Sequence, residues 1–146
     1  AEISRRVTEL NARWTSAGGA PVVAYHTTPL GAFSLAALYR LAHFCIVSSL
    51  HDGMNLVAKE FVAAQDPENP GALVLSNMAG AARELTDALL VNPYDEHAVA
   101  AALHEALELP LAVRRARHPK MLAALRRNTI RHWHEAFVAS LHHKCQ

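Results

Sequence analysis

The apolar run Phe44-Cys45-Ile46-Val47 passes through a polar loop into a helical stretch at residues 55–65, and this succession of short strand, loop and helix recurs along the chain. Strands joined by helical crossovers return to pair in the same direction, so the alternation limits the chain to a parallel sheet with helices on both faces. Residues 72–75, after the breaker-rich turn Asp66-Pro67-Glu68-Asn69-Pro70-Gly71, and residues 89–91, after a short helix at 79–85, read as further strands. Upstream, residues 2–14 read as a helix with Ile3, Val7, Leu10 and Trp14 on one face. Gly18-Gly19 ends that connection, residues 21–25 read as a strand, and residues 34–42 as a helix capped by Ser34. Downstream, residues 95–107 are an Ala-rich helix, Pro110 opens another, and Pro119 is expected to interrupt it before a last helix at about 120–141. The fold class is α/β and Rossmann-like.

With 146 residues, 51% of them apolar, the chain has material for one core and one domain. Lys and Arg number 14 against 13 Asp and Glu, which gives no electrostatic case for nucleic acid. Arg114, Arg115, Arg117, Arg126, Arg127 and Arg131 have the spacing of a solvated helical face rather than of a phosphate-contacting patch. No apolar run reaches transmembrane length and no signal-peptide pattern opens the chain, so a soluble protein with no membrane partner is expected. Cys45 and Cys145 make neither a disulfide framework nor a metal site; Cys45 reads as a small hydrophobe, and a cytoplasmic location fits. The ten histidines do not suggest zinc either: His132 and His134 fall on different helical faces, His142-His143 lies at the tail, and His104-Glu105 lacks a second histidine four residues on.

The segment Asp52-Gly53-Met54-Asn55-Leu56-Val57-Ala58-Lys59-Glu60 carries the chemistry. A helix start exposes unpaired amides at the positive end of the dipole, and Gly53 lets an anionic group approach the main chain. Asp52 and Glu60 are acceptors that suit sugar hydroxyls, and phosphate flanked by hydroxyls describes a nucleotide sugar. From pattern alone Asp52 is equally a turn residue in an Asp-Gly pair, and Glu60 has the alternative reading of a solvent-facing helix residue. Lys59 lies about 100° around the helix from Glu60 and is expected in solvent. Met54 and Val57 are expected to pack, offering their amides rather than their side chains.

This segment, with Phe61-Val62-Ala63-Ala64-Gln65 after it, closely resembles the donor-binding segment of the trehalose-6-phosphate synthases, retaining glycosyltransferases of the GT-B fold. Further blocks match in order: Asn11-Ala12-Arg13-Trp14, Leu38-Tyr39-Arg40-Leu41-Ala42, Leu73-Val74-Leu75-Ser76, Ala79-Gly80-Ala81-Ala82-Arg83-Glu84-Leu85 and Val91-Asn92-Pro93-Tyr94-Asp95, so that the resemblance covers most of residues 4–141. It implies that residues 1–146 are a single, partial nucleotide-sugar-binding domain, the C-terminal half of a GT-B enzyme. The last helix would pack toward a missing N-terminal domain that holds the acceptor. The fragment alone is then expected to be inactive, and a homo-oligomer stays open.

Carried over residue by residue, the resemblance makes Asp52 the catalytic-site acid that accepts from the donor glucose. It sets the main chain at Gly53, Met54 and Asn55 along sugar and phosphate, the amides of Leu56 and Val57 at the diphosphate, and Glu60 on the two ribose hydroxyls. Pro29 and Leu30 border the base, uracil or guanine, in a loop that departs from the family's usual sequence. His51 stands where the family most often has arginine. The implied reaction transfers glucose from a nucleoside diphosphate glucose to glucose 6-phosphate, giving trehalose 6-phosphate without metal or cofactor. Alternatives are a related synthase or pseudo-glycosyltransferase of the validamycin type with another phosphorylated acceptor, and a non-catalytic regulatory domain.

Overall fold

A computed structural model describes residues 2–144; the chain divides into two compact units, Ala1–Gly31 and Ala32–Gln146. In the first unit, helix α1 (Glu2–Trp14) leaves Ile3, Leu10 and Trp14 of its apolar stripe exposed. Residues 21–25 are irregular rather than a strand. The backbone of Val23 is engaged by the Asn11 side chain, which donates to the Val23 carbonyl at 2.9 Å and accepts from the Val23 amide at 2.8 Å. A residue satisfied in this way has no free groups to offer a ladder.

The second unit is built on a parallel sheet in the order β1-β2-β3, with β1 at Phe44–Val47, β2 at Ala72–Ser76 and β3 at Leu89–Val91. Phe44 lies opposite Ala72 and Val74 opposite Leu89. Every residue of β2 is buried, as the middle strand of a doubly covered parallel sheet requires. Its alternating side chains divide the core. Leu73 and Leu75 join Val47, Phe61, Val62 and Met121 on one face, while Ala72 and Val74 join Leu89, Val91, Ala102 and Ala106 on the other. Helices α3 (Leu56–Ala64) and α5 (Leu111–Arg127) cover the first face, with α2 (Ala32–Leu41) packed through Tyr39; α4 (Glu96–Glu108) covers the second. The expected Rossmann-like layering is therefore present.

Gln65, 4% exposed, joins three elements: its Nε2 donates to the Tyr39 carbonyl at the end of α2, and its Oε1 accepts from the Gly71 amide ahead of β2. Two boundaries differ from expectation. Helix α2 begins at Ala32, so Ser34 sits inside the first turn and does not cap it. The short helix expected at 79–85 is a single 3-10 turn, Gly80–Arg83.

The expected interruption at Pro119 does not occur. Helix α5 runs through it, and the break falls at Asn128, before α6 (Ile130–Lys144). An interior proline costs a helix about 3 kcal/mol, which packing on both sides offsets here. His118 is 3% exposed and donates through Nε2 to the Val62 carbonyl at 3.0 Å, and Met121 and Ala124 are buried beyond it.

The arginine cluster is not uniformly solvated. Arg114 donates to the Asn69 side chain at 3.1 Å, to the Leu109 carbonyl at 3.2 Å and to the Pro70 carbonyl, and Arg115 donates to the Glu68 carbonyl at 2.7 Å, so both pin the turn before β2. Arg126, Arg127 and Arg131 are exposed as expected. Cys45 packs against the core as a free thiol, which burial pushes up to about 11. Cys145 and the side chains of His142 and His143 lie outside the described residues. Helix α6 exposes Ile130, Trp133, Phe137 and Leu141 along one face, with the Trp133 and Phe137 rings stacked at 5.3 Å.

Candidate functional site

The site grows from the carboxyl ends of β1 and β2, the edge where open α/β sheets bind ligands. Asp52 folds the loop onto itself. Its Oδ1 accepts from the amides of Met54 and Asn55, both at 3.0 Å, and its Oδ2 accepts from Asn55 Nδ2 at 3.0 Å. Asn55 in turn caps α3 by accepting from the Ala58 amide at 2.9 Å, and holds φ 71°, a conformation that asparagine tolerates better than most residues. The Met54 amide and then the Asn55 side chain hold the Asp52 carboxyl below its ordinary range; desolvation opposes them, and the Asn55 amide and nearby His51 add smaller contributions in the same direction as the first two. A carboxylate has about four acceptor positions, so with three filled one remains on Oδ2.

The next loop is joined to this one. The Gly80 amide donates to the Asp52 carbonyl at 2.9 Å and the Ala81 amide to the Met54 carbonyl at 2.7 Å, while Asp52 and Ala79 form an isolated parallel bridge. A Cβ on Gly80 would lie 2.1 Å from the Gly53 carbonyl oxygen, so this approach requires glycine. Ser76, fully buried, donates to the Ser49 carbonyl at 2.7 Å and accepts from the Met78 amide at 3.0 Å. Neither Ser76 nor Gly80 stands out as a site residue in the sequence; the only trace is the glycine itself in Ala79-Gly80-Ala81.

The amides expected along the sugar and phosphate therefore differ among themselves. Those of Met54 and Asn55 are occupied by Asp52, whereas those of Leu56 and Val57, at the first two helical positions, donate to no group among the described residues. Met54 and Val57 are 39% and 43% exposed, so their side chains do not pack as expected; both sit where α3 meets solvent. Lys59 is not solvated either. It is half-buried and ion-paired with Glu84 at 2.8 Å, and Glu84 also accepts from Asn128.

Asp52 and Glu60 open onto different cavities. One, of about 420 Å3, lies at the two joined loops and is bordered by His51, Asp52, Gly53, Asn77, Gly80 and Arg83. The other, a groove of about 370 Å3 between α2 and α3, is bordered by Leu35, Tyr39, Glu60, Ala63 and Ala64. Along the chain the two carboxylates are separated by the start of α3. Glu60, four residues past Leu56, sits about 6 Å further along the helix axis at 1.5 Å per residue. Burial, then the charges of Glu60 and Cys45, raise the Tyr39 hydroxyl above its ordinary range. Pro29 and Leu30 belong to the first unit, in an irregular exposed segment. Among the described residues no group of three or more His, Cys, Asp or Glu could hold a metal ion, and no helix is long and apolar enough to cross a membrane.

Comparison with known proteins bears on the same residues. The family model for glycosyltransferase family 20 matches residues 1–143. The trehalose-6-phosphate synthase of Cronobacter sakazakii is 62% identical over 107 residues, which are 73% of this chain and 23% of that protein. The structure of an alpha,alpha-trehalose-phosphate synthase (UDP-forming) from Burkholderia xenovorans, in complex with glucose-6-phosphate, is similar with a TM-score of 0.88 at 47% identity; the match covers 97% of this chain and 31% of that one. The trehalose-6-phosphate protein of E. coli bound with UDP-2-fluoro glucose is similar with a TM-score of 0.88 at 46% identity, covering 96% of this chain and 31% of that one. The chain thus spans about a quarter to a third of the length of these relatives.

Proposed function

The chain belongs to glycosyltransferase family 20, and on that premise we propose that it is the donor-binding part of a trehalose-6-phosphate synthase, transferring glucose with retention from a nucleoside diphosphate glucose to glucose 6-phosphate. One observation carries the reading: the unoccupied amides of Leu56 and Val57 at the start of α3 fall, along the chain, between two carboxylates, Asp52 and Glu60, that border separate cavities. An extended nucleotide sugar has this order of groups. The ribose hydroxyls fit Glu60 in the groove, the diphosphate fits the amides of Leu56 and Val57, and the hexose fits the remaining acceptor position of Asp52 with the main chain of Gly53, Met54 and Asn55 beside it.

Uracil is the favoured base, because the similar B. xenovorans enzyme is UDP-forming and the E. coli protein binds UDP-2-fluoro glucose. Catalysis is charge stabilisation: as the glycosidic bond breaks, negative charge grows on the leaving diphosphate, and amides already aimed at it stabilise the transition state more than the ground state. The acceptor hydroxyl attacks from the face that the diphosphate leaves, and no metal is required. Glucose 6-phosphate is held by a domain outside this chain, against which the apolar face of α6 packs.

Calorimetry with UDP-glucose tests the assignment. Two charge-assisted hydrogen bonds lost in Glu60→Ala should weaken binding at least about tenfold; unchanged affinity removes Glu60 from the ribose. Product analysis of a protein that contains this chain together with an acceptor domain should find trehalose 6-phosphate.

A further inference from the structure

We propose that Arg83 is a hexose-positioning residue, its guanidinium forming a second polar wall of the cavity that Asp52 borders and donating to hydroxyl oxygens of the transferred sugar. This rests on the donor reading above, which places the hexose at the Asp52 end of the segment and the nucleoside at the Glu60 end. A cavity of about 420 Å3 lies within the range of about 300–1,000 Å3 usual for small-molecule sites.

Among the described residues Arg83 is the one permanent cation on its border, and His51 there occupies the position where the family resemblance leads one to expect arginine. Elsewhere in the same unit, Arg40, Arg114, Arg115 and Arg117 pair with carboxylates, carbonyls or a side-chain amide, whereas Arg126, Arg127 and Arg131 are exposed on the late helices and do not border the cavity of Asp52. The exposed Arg83 guanidinium makes no hydrogen bond or ion pair with any group among the described residues. Its backbone is nevertheless fixed. The Gly80 and Ala81 amides tie its turn to Asp52 and Met54, and Leu85, fully buried with its amide on the Ala81 carbonyl at 2.9 Å, anchors the other side.

The chemistry of the cavity is complementary to a sugar. A hydroxyl both donates and accepts; Asp52 has acceptor capacity left and no proton to give, and a guanidinium supplies donors only. A free anion is the poorer guest, because the Asp52 carboxylate borders the same space and is held ionised by its own loop.

The test compares UDP-glucose with UDP by calorimetry on the wild-type chain, Arg83→Ala and Arg83→Lys. Arg83→Ala should weaken UDP-glucose about tenfold while changing UDP less than about twofold, with Arg83→Lys between, since loss of a charged hydrogen bond acts only on the ligand that carries the hexose. Retained UDP binding also shows that the variant is folded. Equal loss for both ligands, or loss for neither, overturns the proposal while leaving the donor reading standing. A wild-type chain that binds neither ligand overturns the donor reading and this inference with it.

Discussion

Asp52 serves two roles through one carboxylate, because the three donors that fold its loop also keep it ionised. Its pKa is depressed in the folded state, so the stability it contributes is complete above the ordinary carboxylate range and is lost as pH falls through the lowered folded value. Carbon-13 NMR of the Asp52 carboxyl should give a midpoint below that of an unstructured aspartate, and Asn55→Ala should move it back up. A midpoint at the ordinary value would mean that the loop is not closed as described. Gly80 offers a second residue-scale check. In Gly80→Ala the new methyl meets the Gly53 carbonyl, so the two loops must separate; we expect a loss of about 1–3 kcal/mol in urea denaturation and weaker UDP-glucose binding. The sequence marks Asp52 and Glu60 as candidates but leaves Lys59 in solvent, because its partner Glu84 is 25 residues away, beyond the reach of helical spacing.

At the scale of elements, α3 and the three strands could be read from the sequence because each is a short apolar run closed by breakers or a cap that act locally. The strand expected at 21–25 does not form, for the opposite reason: β-propensity does not supply a partner, and the Asn11 side chain takes up the Val23 backbone. Pro119 shows the same limit. The cost of a proline is local, but what offsets it, His118 on the Val62 carbonyl, lies 56 residues away in sequence. Pro119→Ala should therefore restore a backbone bond within an existing helix and raise stability by about 1 kcal/mol or more, read as a higher urea midpoint. A lower midpoint would show that the ring itself packs. Glu60 and Asp52 stand on either side of the capped first turn of α3, so the cap sets their spacing; Asn55→Ala should cost about 1 kcal/mol.

For the molecule as a whole, the sheet-bearing unit divides its core between two faces, and the larger side chains are on the α3–α5 face. Phe61, 1% exposed and edge-on to Tyr39 at 6.1 Å, is its largest fully buried side chain. Phe61→Ala should cost about 3–5 kcal/mol, a large share of the 5–15 kcal/mol typical of a domain. Thermal denaturation with loss of cooperativity would be the expected record. The seam between the loops after β1 and β2 has a further mechanical consequence. Because Gly80 and Ala81 hang from the carbonyls of Asp52 and Met54, the two crests behave as a single lever, and whatever seats one damps the other. Deuterium uptake at the Gly80 and Ala81 amides should slow when UDP-glucose is added, so that a sugar resting on one crossover is felt by the backbone of its neighbour.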